Sequence, residues 1–251
     1  MLIKIYGERN SGTRYLQKLI KSNLDVNLLR GVAPPKIVRL IAEGQKISKE
    51  AARGIYFAKT FDHFLGWKHA QAKSVSQLQK FAICKQNITF VSITKNPYAW
   101  LLSLYKRPYH QSWRRSLDFE TFLTTPWPTL PRENADPIIS NPVALWNHKN
   151  RSYTRLKNGL KALNLTYEAV LKDPFKTLED ICNISGCKQL NNTFVKIDRL
   201  SSKQNQGFDF FQQYYLREQW RKSLSQTAIA IINESLDEQL LDHFGYRKLS
   251  F

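Results

Sequence analysis

Cysteine is scarce in this chain of 251 residues: Cys84, Cys182 and Cys187 are the only three. Their number is odd and no pair is spaced Cys-x-x-Cys, which argues against a disulfide framework and a structural zinc site. Inert thiols in a reducing compartment are expected instead. Long apolar runs are missing too, and none approaches the roughly 20 residues that a membrane-spanning helix needs. The first residues pass directly from Met1-Leu2-Ile3-Lys4-Ile5-Tyr6 to Gly7, with no basic segment leading into an apolar stretch. A secretory signal is therefore not expected, and a cytoplasmic location is. Repeats and low-complexity tracts are also absent.

Acidic residues are in deficit. Twenty Asp and Glu face 38 Lys and Arg, for a formal net charge of +18. Such an excess implies polyanionic company: nucleic acid, an anionic membrane surface, an acidic glycan or a phosphorylated nucleotide. Charge alone does not choose among them. A hydrophobic share of 42% is ordinary for a globular protein. The length suits one α/β domain spanning residues 1–251 rather than two.

Residue patterning predicts strands at Leu2–Tyr6, Ile55–Ala58, Ile88–Thr94 and Ala162–Tyr167. Between them, helices are predicted at Thr13–Ser22, Lys73–Lys85, from Pro97 onward, over Val143–Asn158, and from Asp173-Pro174 to about Gly186. Two more are predicted at Phe210–Lys222 and Ser225–His243. The alternation points to an α/β fold of three layers, a central parallel sheet with helices on both faces. Residues 110–145, rich in Pro, Trp and charge, hold one short predicted helix at Leu117–Leu123. They are either a lid over an acceptor or a plain surface excursion.

Two segments carry chemistry. Gly7-Glu8-Arg9-Asn10-Ser11-Gly12-Thr13 joins a strand to a helix, with its glycines spaced as in G-x-x-x-x-G-K-[ST]. Such a turn lets backbone N–H groups converge on an anion at a helix N-terminus. The Lys of the nucleotide-hydrolysing version is missing, since Thr13 follows Gly12 directly. The Asp that would help hold Mg²⁺ at the end of a neighbouring strand is missing too, because Ile88–Thr94 runs into Lys95. The loop is therefore read as binding phosphate without the metal apparatus of a kinase. The second segment is Lys95-Asn96-Pro97 with Ser103 two helical turns on, at the carboxyl end of a strand where ligands gather in parallel sheets.

Taken in order, Arg9-Asn10-Ser11-Gly12-Thr13, Lys95-Asn96-Pro97…Ser103, and Tyr167-Glu168…Asp173-Pro174 resemble the motifs of the sulfotransferases that use 3′-phosphoadenosine 5′-phosphosulfate. The resemblance implies a P-loop-type fold and transfer of a sulfuryl group to a hydroxyl or amine. That nucleotide would be the cofactor, 3′,5′-adenosine bisphosphate the product, and no metal would be required. It implies that Asn10, Ser11, Gly12, Thr13 and Arg14 meet the 5′-phosphosulfate and that Lys95 and Ser103 bind the 3′-phosphate. Tyr15 and Tyr167 would contact adenine, and Lys203 would belong to a late basic clamp. It assigns the general base to His69, beside Lys68, with His63 as the rival. Charge on the departing phosphate falls to Arg9, Arg14 or Lys68, because Asn10 stands where the family has Lys. Lys95 replaces the family's Arg and loses a bidentate fork. The acceptor is expected to bear a hydroxyl and to be carbohydrate or anionic. Trp113 and Trp127 either stack on sugar rings or pin the lid to the core. Nucleic acid is not expected as a partner. A non-catalytic polyanion binder is the alternative from another class, and a P-loop kinase ranks behind both.

Overall fold

The computed structural model describes residues 1–190, 193–198 and 206–250. Strand β1 (Leu2–Tyr6) feeds helix α1 (Thr13–Asn23), followed by the two-residue strand β2 (Asn27–Leu28). Helices α2 (Pro35–Gly44), α3 (Lys49–Lys59), α4 (Phe61–Phe64) and α5 (Val75–Leu78) come next. Strand β3 (Ile88–Thr94) runs into α6 (Pro97–Lys106). Residues 110–145 hold α7 (Phe119–Thr124) and the antiparallel pair β4 (Trp127–Pro128) and β5 (Ile138–Ile139). The remainder is α8 (Pro142–Thr154), β6 (Ala162–Thr166), α9 (Tyr167–Lys172), α10 (Pro174–Ser185), α11 (Phe208–Leu216), α12 (Gln226–Ser235) and α13 (Glu238–Phe244).

The sheet is parallel throughout, in the order β2-β1-β3-β6. Side chains alternate across a strand, so each strand feeds two cores. Ile3, Ile5, Val91, Ile93 and Leu165 share one core with Leu16, Leu19 and Ile20 of α1. Tyr6, Phe90 and Ala162 share the other with Tyr153 and Leu156. This gives the three-layer α/β arrangement expected from the alternation of elements. All seven residues of β3 are buried, as suits a central strand covered on both faces. Because the strands are parallel, β1, β3 and β6 deliver Gly7, Lys95 and Tyr167 to one edge of the sheet. No helix among the described residues is long and apolar enough to cross a membrane.

Three expectations are corrected. Ile55–Ala58 is not a strand but the last part of α3. Ser48 caps that helix by accepting from the Ala51 N–H, and Ala52, Tyr56 and Phe57 pack on Trp67 and Ala70, so helical periodicity overrides the β-prone tetrapeptide. The predicted helix Lys73–Lys85 breaks into α5 and a 3₁₀ turn at Ala82–Lys85. The predicted helix Ser225–His243 is two, because Asp237 caps a second start by accepting from the Leu240 N–H.

Trp146 links the core to the sheet edge. It is fully buried, and its indole N–H donates to the Lys95 carbonyl at 3.1 Å. Trp146→Ala is expected to cost about 3–5 kcal/mol, read as a lower urea midpoint with unchanged m-value. An unshifted midpoint would remove Trp146 from the load on the core.

Candidate active site

Gly7 begins the site. Its N–H donates to the Lys68 carbonyl at 2.9 Å, and its carbonyl lies 2.6 Å from His69 Nδ1. A Cβ at Gly7 would stand 2.5 Å from the Ile93 carbonyl oxygen, so the residue lets the loop cross β3 closely. After it, Glu8 shapes the loop. Its carboxylate accepts the Arg9 N–H at 2.6 Å, and its carbonyl accepts the Ser11 N–H and hydroxyl. Gly12, with φ of 89°, forms the left-handed entry to α1, and no side chain caps that helix. An uncapped helix N-terminus behind a glycine turn is an anion site by its electrostatics.

Gly12 packs against Tyr167, where a Cβ would come within 2.4 Å of the ring. Lys95 Nζ stands 4.5 Å from the centroid of that same ring. Tyr167 is thus a wall shared by the two segments singled out in the sequence. Asn10 ties them as well: its Nδ2 donates to the Ser103 carbonyl at 3.1 Å, and its Oδ1 accepts from the Tyr109 hydroxyl at 2.7 Å. Lys95 is 3% exposed and donates to the Tyr215 hydroxyl at 2.9 Å. Burial works to raise the Tyr215 phenol. The Lys95 charge and hydrogen bonds with Lys95 and Ser103 outweigh it, and the phenol titrates below its ordinary value. Tyr215 was not legible in the sequence as a site residue; helix spacing alone marks it as core. Tyr15 is buried against Phe208, and its hydroxyl has no hydrogen-bond partner among the described residues. Lys203 lies outside the described residues.

On the other side of the loop lie His69, Arg9 and Lys68. Lys4 and Tyr6 of β1 hold the turn before them, through Lys4 Nζ to the Phe64 carbonyl at 2.6 Å and Tyr6 Oη to the Leu65 carbonyl at 2.7 Å. Leu65 and Gly66 are both left-handed there. Burial, with Lys68 nearby, lowers the Lys4 ammonium to about 7. His69 donates from Nδ1 to the Gly7 carbonyl, which leaves Nε2 with the lone pair. Burial, then the Lys68 charge, holds its imidazolium form well below the usual range. His63 is exposed on α4, against the Phe64 ring. The Arg9 guanidinium is held between the rings of Trp67 and Tyr109, 4.6 and 4.2 Å from their centroids, and lies 3.3 Å from His110 Nδ1. Lys68 is buried with its Nζ donating to Gln17 Oε1 at 2.9 Å, and burial lowers it to about 8. Arg14 is exposed at the first turn of α1.

Residues 110–145 fold onto this side. Arg132 stacks on Trp67 and pairs with Glu50 of α3. Glu133 pairs with Lys149 of α8 at 2.7 Å. Trp127 is buried at 2% exposure and Trp113 is open at 55%, with Arg114 against both rings. Of the two tryptophans, Trp127 pins the segment to the core, and Trp113 is free to meet a ligand.

The His69 environment sets a pH dependence. The folded chain holds His69 neutral below the ordinary value of 6.5, so below that pH the unfolded chain binds the extra proton. Stability is complete above 6.5 and falls as pH drops through 6.5 toward the folded value. Urea titrations between pH 7.5 and 5.5 are expected to show this loss in the wild type and a smaller one in His69→Asn. Equal losses would mean that His69 is not held neutral.

No protein-family model matches the sequence, and neither does any curated protein. Solved structures do. A sulfotransferase from Alicyclobacillus acidocaldarius is similar over 98% of this chain and 96% of its own, with 14% identity and a TM-score of 0.48. The sulfotransferase domain of the curacin biosynthetic pathway covers 98% of each chain, at 10% identity and a TM-score of 0.45. The sulfotransferase domain of the Synechococcus PCC 7002 olefin synthase covers 93% of each, at 14% identity and a TM-score of 0.38. In the course of its chain, this protein is similar to three solved sulfotransferases.

Proposed function

We propose that this chain transfers a sulfuryl group from 3′-phosphoadenosine 5′-phosphosulfate to a hydroxyl or amine acceptor. The observation that carries the reading is the shared Tyr167 wall: the Gly12 loop and Lys95 flank one ring, so two anion-binding groups face a single ligand. That arrangement suits a nucleotide with phosphate at both ends of its ribose better than a linear triphosphate. The residues fit such a ligand on two further counts. Among the described residues the buried Tyr15 hydroxyl has no partner, and the N-terminus of α1 has no side-chain cap.

Bound there, the phosphosulfate supplies an activated sulfuryl group on a phosphate leaving group. Asn10, Ser11, Gly12 and Thr13, with the first amides of α1, would hold the 5′ end, and Lys95 and Ser103 the 3′-phosphate. Tyr15 and Tyr167 would face the base. Arg9 would supply the charge that the family's loop Lys supplies elsewhere. Its guanidinium is fixed between two rings, so little reorganisation is needed as negative charge develops. Arg14 and Lys68 stand close enough to add to that field, the exposed Arg14 at the mouth. His69 Nε2 would take the proton of the acceptor, its tautomer fixed by Gly7. Residues 110–145 would serve as the acceptor side, with the open Trp113 offering a face to a sugar ring in a hydroxyl-bearing, carbohydrate or anionic acceptor.

Calorimetric titration with 3′,5′-adenosine bisphosphate, with and without Mg²⁺ and with ATP as control, tests the reading. Tight metal-independent binding of the bisphosphate and weak binding of ATP are expected. Lys95→Ala is expected to weaken the bisphosphate roughly tenfold to a hundredfold. His69→Ala is expected to lower sulfate transfer to a glycan acceptor by roughly two to four orders of magnitude. Binding of heparin or DNA with no bisphosphate binding would replace this reading with that of a polyanion binder.

A further inference from the structure

Lys149 of α8 is fully buried, and its ammonium meets three segments that are remote in sequence. Nζ lies 2.7 Å from Glu133 Oε2, 3.2 Å from Glu8 Oε2 and 2.6 Å from the His69 carbonyl. Two of its N–H groups donate, to Glu133 Oε2 and the His69 carbonyl, while Glu8 Oε2 stands at ion-pair distance without a hydrogen bond. Both carboxylates are buried, at 4% exposure for Glu8 and 3% for Glu133. The cluster therefore sits where each charge depends on the others, and where losing the cation would leave two carboxylates facing one another.

Each partner belongs to a different part of the site. Glu8 shapes the phosphate loop by accepting the Arg9 N–H on Oε1. Glu133 closes the turn Pro131–Glu133 of the 110–145 segment, and its carbonyl accepts the Gln71 N–H at 2.7 Å, just past His69. The third acceptor is the backbone of His69 itself. An apolar side chain at position 149 would fill the same volume but would not draw two carboxylates and a carbonyl to one point.

We propose that Lys149 is the positioning residue of this site: it fixes the phosphate loop, the His69 backbone and the 110–145 segment in one arrangement. The proposal rests on the reading of His69 as base and of the Gly7 loop as the donor site. The charges that face His69 come from every element around it. Lys68 adjoins it in sequence, Arg9 comes from the loop and Lys149 from α8, and all three oppose its protonation. Glu8 and Glu133 carry the opposite charge, and Lys149 balances one of the two. His110 and Arg132 stand one layer further out, on Arg9 and Trp67.

The test is an NMR titration of the His69 ring in the wild type, Lys149→Met and Glu133→Gln, the resonance being assigned by its loss in His69→Asn. Removing the cation is expected to raise the His69 pKa by about one unit. Removing one carboxylate charge, with Lys149 kept, is expected to lower it, so the two variants move in opposite directions. Lys149→Arg, which restores the charge, is expected to return most of the wild-type value. In the same samples, Lys149→Met should weaken 3′,5′-adenosine bisphosphate about tenfold through the displaced loop, and Glu133→Gln should leave it within about twofold. Should Lys149→Met fail to fold, the downward shift in Glu133→Gln carries the test. Identical His69 titration in all folded variants, or shifts of the same sign for the Lys149→Met and Glu133→Gln pair, would overturn the proposal. A wild type that does not bind the bisphosphate would overturn the donor assignment instead, and the His69 titration would still decide whether Lys149 sets its protonation.

Discussion

Both backbone polar groups of Gly7 are taken up by the two residues that carry a charge and a base: its N–H by the Lys68 carbonyl and its carbonyl by His69 Nδ1. The geometry of the whole site depends on this pairing. A strand leaving the sheet could direct its loop anywhere, but Gly7 must pass within contact of Ile93 in the neighbouring strand, which a side chain would forbid. That close approach fixes where the loop begins. The hydrogen bonds to the 68–69 segment then fix where the imidazole stands relative to the loop amides. The 68–69 segment and the loop are thus tied to the two sides of one glycine.

Buried charge lies around that point alongside the apolar packing. Lys4 holds the Phe64 and Gly66 carbonyls beneath the turn, Lys149 gathers Glu8 and Glu133 behind the loop, and Lys95 stands between two tyrosines at the third strand end. Isolated buried ammonium groups are costly, and each of these is surrounded by carbonyls, carboxylates, hydroxyls or ring faces that lower the cost. The high positive charge of the chain thus has two components. Part is internal and structural, and does not advertise a polyanionic partner. The rest lies on exposed residues such as Lys106, Arg107 and Arg115, near the open Trp113.

Much of the fold was legible in the sequence because strong local signals agreed with tertiary demand. The run Ile88–Thr94 is apolar and β-branched on both faces, and its bounds as a strand were read directly. The helix after Asn96-Pro97 starts where an Asn cap and an N1 proline say it should. Ile55–Ala58 misled because a β-prone tetrapeptide says nothing of the Ser48 cap and the Tyr56 and Phe57 contacts that make it helical. The edge strand Asn27–Leu28 was invisible, since two residues carry no periodicity and owe their pairing to β1. The same divide runs through the site. Loop, Lys95 and His69 lie in contiguous motifs and could be proposed from the sequence. Lys149, Glu133 and Tyr215 lie in stretches whose local pattern is that of an ordinary helix or turn, and only folding brings them to the loop.

Tyr215 shows how such a late-arriving residue changes the chemistry assigned to a motif. In this conformation Lys95 donates to the Tyr215 hydroxyl and the Ser103 hydroxyl donates to the Ala99 carbonyl, so both groups already have protein partners. A 3′-phosphate reaching Lys95 therefore competes with an existing hydrogen bond rather than meeting a bare cation, and its net gain is the difference between the two. Beside the ring lies a cavity of about 210 Å³ lined by Asn96, Glu168, Leu216, Trp220 and Tyr246 as well as Tyr215. Glu218 also lines that space. A lysine suits this position: a single ammonium is satisfied here by one phenol and two ring faces, whereas a five-donor guanidinium would require more acceptors while buried.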